Sequence, residues 1–582
     1  MTPTPPLPTT GPAPAAAAAP APVAPAGPRA GRRLRPGVAV TPLRAGLHLR
    51  GRRGSVTLEG SAALPVLWRS LEGPLRDGRL EELLAALEPG SGVRAAVETL
   101  VGQLEAHGLL AEEPAGPGPV ARWVAESAER PGAAAAALAG TRAEVVAAAP
   151  DGPLARAAGR ALALALPLGA AAVTHTADPG LPDGRILLTA RGAGPERAVA
   201  AGLSGGSGYV TAPGSAAQVR SDAEALETRP ASPGPAAATA SVALLAGAAA
   251  HRLLCAAAGL ADPAGEGGDE RLLPGLPAVL LADTGPLRAD YRTWLGPLRL
   301  DADRRADLGP AATLAEALRR VTALGDERCG VLPLPLPEDL RQLPVPLAAL
   351  AGPGAPAAGA PRLDLARLEL FCRTAELHLG GAGFTVGANP AHARGRALRT
   401  AAARHRAQGP AAGTAVPAAD WSGHPQVRHW WRTLTLRLAV PARLEVHRAA
   451  PDREAYHAVV RCTADGRPLG EAVEATPGDA AAFAALAAVA AASGAPGRTP
   501  PSGGAAAPLA AAGARTAVWE DDGWTGRWLA GLAAREEALQ DALRALAGEP
   551  RPVRAPAPTD PELLDLLRAF GFTVLHAPEE AR

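Results

Sequence analysis

Val38-Ala-Val40-Thr41-Pro42-Leu43, Leu47-His48-Leu49-Arg50 and Ser55-Val56-Thr57-Leu58 are three short alternating runs, divided by Gly46 and by the turn Gly51-Arg52-Arg53-Gly54. A period of two between turn residues predicts three strands, and connections this short predict an antiparallel meander. The pattern then changes to helical spacing. Leu64, Leu67, Trp68 and Leu71 mark one helix, residues 80–87 a second, and Val93, Val97, Leu100, Val101 and Leu104 form one stripe of a third that ends before Gly108. Three strands followed by three amphipathic helices predict a winged-helix-like module over residues 35–114. In such a module the strand Ser55, Val56, Thr57 and Leu58 would offer its edge to an extended peptide, and Val93, Val97, Leu100 and Leu104 would partly line the groove beside it. The alternative for the same four helix residues is that they are the core of the module, where an amphipathic stripe usually faces.

Outward from this module the chain is long and punctuated. At 582 residues it exceeds one compact core, and Gly 66 with Pro 61 predicts long irregular connections, although a hydrophobic share of 47% suits folded domains. Residues 1–34 open on Pro/Ala/Thr-rich sequence that buries too little apolar area to order, and are expected to be a disordered tail. Residues 140–310 alternate apolar runs with a Gly-rich turn at 202–208 and an apolar helix over 238–260, which predicts an α/β layer. Residues 311–582 begin with an amphipathic helix over 314–324 and continue through Pro-rich sequence to helices over 389–405, 519–547 and 560–570, which predicts an α+β region. The stretch 494–513 reads as a linker. Arginine supplies all 58 cations, there is no lysine, and 57 acidic residues leave a net charge of +1, so no global field draws nucleic acid or an anionic membrane. Nothing in the chain resembles a secretory signal or an uninterrupted membrane span, and the four scattered cysteines form neither a disulfide framework nor a thiolate pair; a reducing, cytoplasmic setting is expected.

The strings that could carry catalysis also have plainer uses. Gly202-Leu-Ser-Gly-Gly206 fits the G-x-S-x-G elbow that would make Ser204 a nucleophile, but the glycines and Pro213 that follow are poor starts for the helix an elbow requires. The same glycines lack the spacing of a dinucleotide loop, and without lysine no P-loop can be completed. His424 and His429 lie five apart, too far for one helical face, and Trp430, Leu434, Leu436 and Leu438 suggest a strand packing into a core or interface. His48, His107, His251 and His378 read as structural, and Glu520-Asp521-Asp522 as a solvated turn.

The segment Arg35-Pro-Gly-Val-Ala-Val-Thr-Pro-Leu43 with the two strands and three helices after it resembles the PqqD-like leader-recognition element of ribosomal-peptide biosynthesis. The rest resembles ThiF-like cyclodehydratase partner proteins of azole-containing peptides and thiopeptides. The resemblance implies a protein that binds a precursor's leader and presents its core to a separate YcaO enzyme. That family carries zinc on two cysteine pairs, one after a segment like Gly208-Tyr-Val-Thr-Ala-Pro-Gly214 and one after a tryptophan. Here Gln218, Ser221, Leu300 and Ala302 stand where thiolates would fall, so the metal is expected to be lost as a unit. Residues 317–331, 343–346 and 380–405 resemble a YcaO remnant, yet Ala397-Leu-Arg-Thr-Ala-Ala-Ala-Arg-His405 lacks the glutamate that active members use for magnesium and nucleotide.

The expectation is therefore an α/β multidomain chain with a degenerate ThiF-like middle domain and a degenerate YcaO-like end. It would be non-catalytic, without cofactor or metal, and its partners would be a leader peptide, a YcaO-type cyclodehydratase and, as an open option, a second copy of itself. Nucleic acid and membrane are not expected partners. Two readings from other classes stay open: a hydrolase or ATP-dependent adenylating enzyme in the middle domain, and a DNA-binding regulator using Arg50, Arg52 and Arg53 of the wing.

Overall fold

The computed structural model describes residues 32–111, 119–229, 239–266, 269, 271–297, 308–337, 340–352, 355–381, 383–408, 414–449, 452–494, 524–552 and 560–576. The chain divides into two compact units, Met1–Ala137 and Leu138–Arg582. The second takes in both regions that the sequence suggested as separate domains. The expected linker 494–513, the acidic turn 520–522 and nearly all of the expected tail lie outside the described residues.

In the first unit β1 (Arg33–Leu34) is followed by the meander β2 (Ala39–Leu43), β3 (Gly46–Arg50) and β4 (Ser55–Glu59), then by α1 (Leu64–Asp77), α2 (Leu80–Ala86), α3 (Gly92–Ala106) and β5 (Leu110–Ala111). The meander pairs in the order β2-β3-β4, with Leu47 opposite Leu58 and Leu49 opposite Val56. Leu47, Leu49 and Val56 share one face of the pleat and meet Trp68, Leu71, Val97, Leu100 and Leu104 in a single core. The tail boundary needs correction. Arg33 and Leu34 pair antiparallel with Ala111 and Leu110, and Leu34 is only 4% exposed, so the module begins before residue 35. A two-residue strand has no period to read, which is why it was not visible in the sequence. After α4 (Pro119–Ser127), α5 (Pro131–Ala139) leads into the second unit.

That unit opens with β6 (Arg142–Ala147), α6 (Pro153–Ala165), β7 (Val173–Ala177), β8 (Arg185–Arg191), β9 (Arg197–Ser204), β10 (Ser207–Val210), α7 (Ala216–Glu227), α8 (Thr239–Ala258), β11 (Ala278–Thr284) and β12 (Leu287–Thr293). The strands make one sheet, ordered β12-β11-β10-β9-β8-β6-β7, in which only β6 and β7 run parallel. Leu187, Ala198, Ala200, Tyr209, Val279 and Leu281 pack with Val219, Ala223 and Leu226 of α7. The alternate position Gly208 is pressed so closely by Leu245 of α8 that a Cβ there would lie 2.3 Å from it. α7 therefore lies on one face and α8 on the other, with α6 packed against α8 and the β6–β7 end of the sheet. By length and composition α8 could cross a membrane, but Arg252 in its middle is fully buried, pairs with Asp262 and donates to the carbonyl of Ala278 at 2.8 Å. Those contacts are those of a helix packed on its own sheet.

The chain continues through α9 (Leu314–Leu324), β13 (Leu347–Ala349), β14 (Ala357–Gly359), α10 (Leu363–His378), β15 (Phe384–Gly387), α11 (Pro390–Gln408) and α12 (Pro425–Arg432). Then come β16 (Ala442–Arg448), β17 (Tyr456–Cys462), β18 (Pro468–Glu474), α13 (Pro477–Ser493), α14 (Trp524–Ala547), β19 (Arg551–Pro552), α15 (Pro561–Ala569) and β20 (Thr573–His576). β16-β17-β18 form an antiparallel sheet on which α13 rests so tightly that a Cβ at Gly470 would meet the Ala484 carbonyl at 2.5 Å. The strand expected around Trp430–Leu438 is not one. Pro425 opens α12, and residues Thr433–Arg437 continue it as a π-helical turn. The alternating leucines misled because Leu434 is buried and Leu436 is 71% exposed, a contrast that a helical turn produces as readily as a pleat.

Candidate functional site

The sheet of the first unit has two edges, and sequence distinguishes them. β2 carries Pro42, which has no N–H to offer a guest strand, whereas β4 contains no proline and has no further strand on its outer side among the described residues. Ser55, Thr57 and Glu59 are exposed, Leu58 is half-buried and Val56 is buried at 7%. The Thr57 hydroxyl is 2.8 Å from Nδ1 of His48 on β3. The four helix residues expected beside this edge divide. Val97, Leu100 and Leu104 are 0–3% exposed and belong to the core, while Val93 alone is presented to solvent, at 55%. Groove lining by the first three is thus corrected: the stripe faces the sheet and is used up there.

At the Ser55 end of β4 an open cleft of about 1250 Å³ lies between the wing turn, the end of α3, β5 and the start of α5. Arg32, Arg35, Arg53 and Arg130 line it, against Glu105 and Glu129.

In the second unit Gln218 and Ser221 lie on the first turns of α7, with the Gln218 amide N–H donating to the Ser215 hydroxyl at 3.3 Å as an N-cap. Leu300 and Ala302 are outside the described residues. Trp294 is fully buried and donates from Nε1 to Asp222 of α7 at 2.7 Å. Glu227 at the end of α7 accepts from Tyr209 at 2.8 Å and from Arg185 at 2.7 Å. An amide and a hydroxyl do not make a thiolate set, so the described donors do not fit a tetrahedral cysteine zinc site. Of the four cysteines, all free and buried, Cys329 lies nearest this region, and burial pushes its thiol up to about 12.

Ser204 ends β9, and Gly205 and Gly206, at φ of 55° and 96°, make the two-residue turn into β10. Two positive-φ residues between antiparallel strands are a hairpin turn, so the G-x-S-x-G string serves the hairpin and no helix leaves it. His424 and His429 do not converge. His424 is 3.6 Å from Asp479, whereas His429 stacks edge-on against Trp430 at 4.5 Å. His107 is paired locally, with Nδ1 2.8 Å from the Gln103 carbonyl.

The densest polar cluster is on α11, where the sequence suggested only an absence. Ala393, Ala397, Leu398, Ala402 and Ala403 bury that helix, and Arg396 and Arg399 are buried with them. Arg396 pairs with Glu369 and, at 3.0 Å, with Glu376 of α10. Arg399 donates to both oxygens of Glu474 on β18, at 3.1 and 3.0 Å, and to both of Glu536 on α14, at 2.8 and 2.6 Å. Burial raises Glu474 to about 7 against the pull of Arg399, and burial also raises Glu376. His392, buried one turn earlier with its Nδ1 accepting from the Ala388 N–H at 3.0 Å, is held far below its ordinary range by burial and the two arginines, and so is neutral. A carboxylate set already neutralised by fixed guanidinium groups does not fit magnesium or a nucleotide-bound cation. The missed signal was Arg396 and Arg399, three apart and set among Ala393, Ala397, Leu398, Ala402 and Ala403 on the buried side of the helix: cations at that depth require anionic partners.

The sequence matches no family model and no curated protein. Among solved structures the chain is similar to a heterocyclase in complex with substrate and cofactor, with 11% identity and a TM-score of 0.40 over 79% of this chain and 82% of that one. It is also similar to the heterocyclase TruD, with 13% identity and a TM-score of 0.37 over 94% of both chains.

Proposed function

We propose that this protein is a non-catalytic subunit of an azoline-forming cyclodehydratase in ribosomal-peptide biosynthesis. Its first unit captures the precursor's leader as a strand added to β4, and the remainder presents the core peptide to a separate YcaO-type enzyme in the cytoplasm. The observation that carries this is the open edge Ser55–Glu59 in a sheet whose other edge is blunted by Pro42. Main-chain hydrogen bonds along that edge supply affinity, and Val93 with the half-buried Leu58 supplies apolar contacts to alternate side chains of the guest. The non-catalytic part is supported by α11, whose buried Arg396 and Arg399 consume the nearby carboxylates. The hairpin after Ser204 weighs against the hydrolase alternative, whose elbow calls for a helix at that point.

The test is fluorescence anisotropy of the full chain with labelled peptides encoded by short reading frames beside its coding sequence. Saturable binding of one leader, lost when its alternate backbone amides are N-methylated, is expected. Binding that survives N-methylation would sink strand addition, and ATP turnover by the purified chain alone would sink the non-catalytic assignment.

A further inference from the structure

The cleft at the Ser55 end of β4 is not explained by strand addition. Its described lining has four arginines against two glutamates. Glu105 is already engaged with Arg32 at 2.6 Å. Arg35 is 5% exposed and donates to the carbonyls of Ala125 and Ala128, at 2.8 and 2.5 Å, and to that of Glu129 at 3.3 Å, yet its Nε has no partner. Burial first, and then the neighbouring Arg53, lowers Arg35 to about 10. Among the described residues Arg53 donates to the Ser127 carbonyl at 3.2 Å and neither it nor Arg130 has an ion-pair partner. A buried guanidinium that repels a second one across a cleft costs free energy in the empty protein, and an incoming anion removes that cost.

We infer that this cleft binds a carboxylate side chain of the captured peptide, so that one Asp or Glu sets the register of the strand on β4. The inference rests on the strand-addition reading. The occupant is a peptide because the cleft adjoins Ser55, the first residue of the open edge, and because its uncharged lining combines the apolar side chains of Leu110, Ala111, Pro131 and Ala133 with glycine backbone and His107, a mixed surface suited to a chain segment. It is acidic because the charge of the lining asks for it. Residues 1–31 contain no Asp or Glu, so the protein's own N-terminal stretch offers no such carboxylate. Strand pairing alone leaves register weakly specified, since slipping by two residues keeps every side chain on its face, and a single charged anchor removes that freedom.

The test is a display selection of random short peptides on the full wild-type chain and on the Arg53→Gln/Arg130→Gln variant. Both replaced residues are exposed, so the fold is retained, and Arg35 is left in place because its carbonyl contacts hold α4. Wild type is expected to select alternating apolar sequences with Asp or Glu at one fixed position. The variant is expected to select the same alternation without the acidic position, and to bind the wild-type winners about tenfold more weakly. Alternating peptides with no acidic preference on wild type would overturn the cleft's role while leaving strand addition standing. Failure of both proteins to enrich any alternating sequence would overturn strand addition and the cleft's role with it. A duplex DNA oligonucleotide bound by wild type and not by the variant, and displacing the selected peptides, would assign the cleft to phosphate instead.

Discussion

Arg399 and Arg53 show two treatments of the same side chain. Arg399 is buried and donates to both oxygens of Glu474 and both of Glu536, so its five donors are largely spent inside the fold. Arg53 sits at the edge of a cleft, holds one backbone carbonyl, and faces another arginine. The first is a structural tie that leaves a ligand nothing to claim; the second is a cation in search of a partner. The difference separates charge spent inside the fold from charge left at the edge of a cleft, and neither is visible in a net charge of +1.

The largest break in this comparison is expected from Arg399→Met. It strands two buried carboxylates and is expected to cost about 3–5 kcal/mol in urea unfolding, less at acid pH where they protonate. A loss below about 1 kcal/mol, the scale of an exposed pair, would show that the network does not hold the fold together. Next is Leu34→Ala, which empties a buried position in the first unit at about 2–4 kcal/mol and should accelerate amide exchange at Leu110 and Ala111. Unchanged exchange there would return Leu34 to the tail.

A smaller effect concerns pH. Glu474 titrates near 4.5 when unfolded and about 7 when folded, so between those values the folded state holds an extra proton. Its contribution is full below about 4.5 and is lost as pH rises through about 7. Glu474→Gln should flatten the stability profile over that window, and a profile as steep as wild type would place the titration on another group. The smallest expected effect is Arg53→Gln, within about 0.5 kcal/mol in unfolding because the side chain is exposed and pairs with no carboxylate among the described residues. A loss comparable to that of Arg399→Met would erase the distinction between the two arginines.

Periodicity carried much of the architecture. The meander and the helices α1, α2, α3 and α9 are where their spacing put them, because a period of 2 or 3.6 is a local property and the core merely accepts the apolar face it is offered. A Gly-rich turn at 202–208 was legible from composition; that Gly205 and Gly206 form a two-residue hairpin turn at positive φ came from the structure. What local pattern could not distinguish was a short π-helical turn from a strand at 433–437, or a two-residue strand at 33–34 from a tail. Of the candidate site, the β4 edge was readable and the groove only in part, since Val97, Leu100 and Leu104 could serve guest or core and the sheet behind them took them.

The sequence by itself determined the meander and the helices that follow it, the absence of cysteine at Gln218 and Ser221, and the lack of an acidic residue over 397–405. Tertiary structure alone decided that Arg399 meets Glu474 and Glu536, 75 and 137 residues away, and that Arg32, Arg35, Arg53 and Arg130 share one cleft. Charges pair by distance in space, at a few ångströms, and no spacing along the chain encodes that distance until the core has closed.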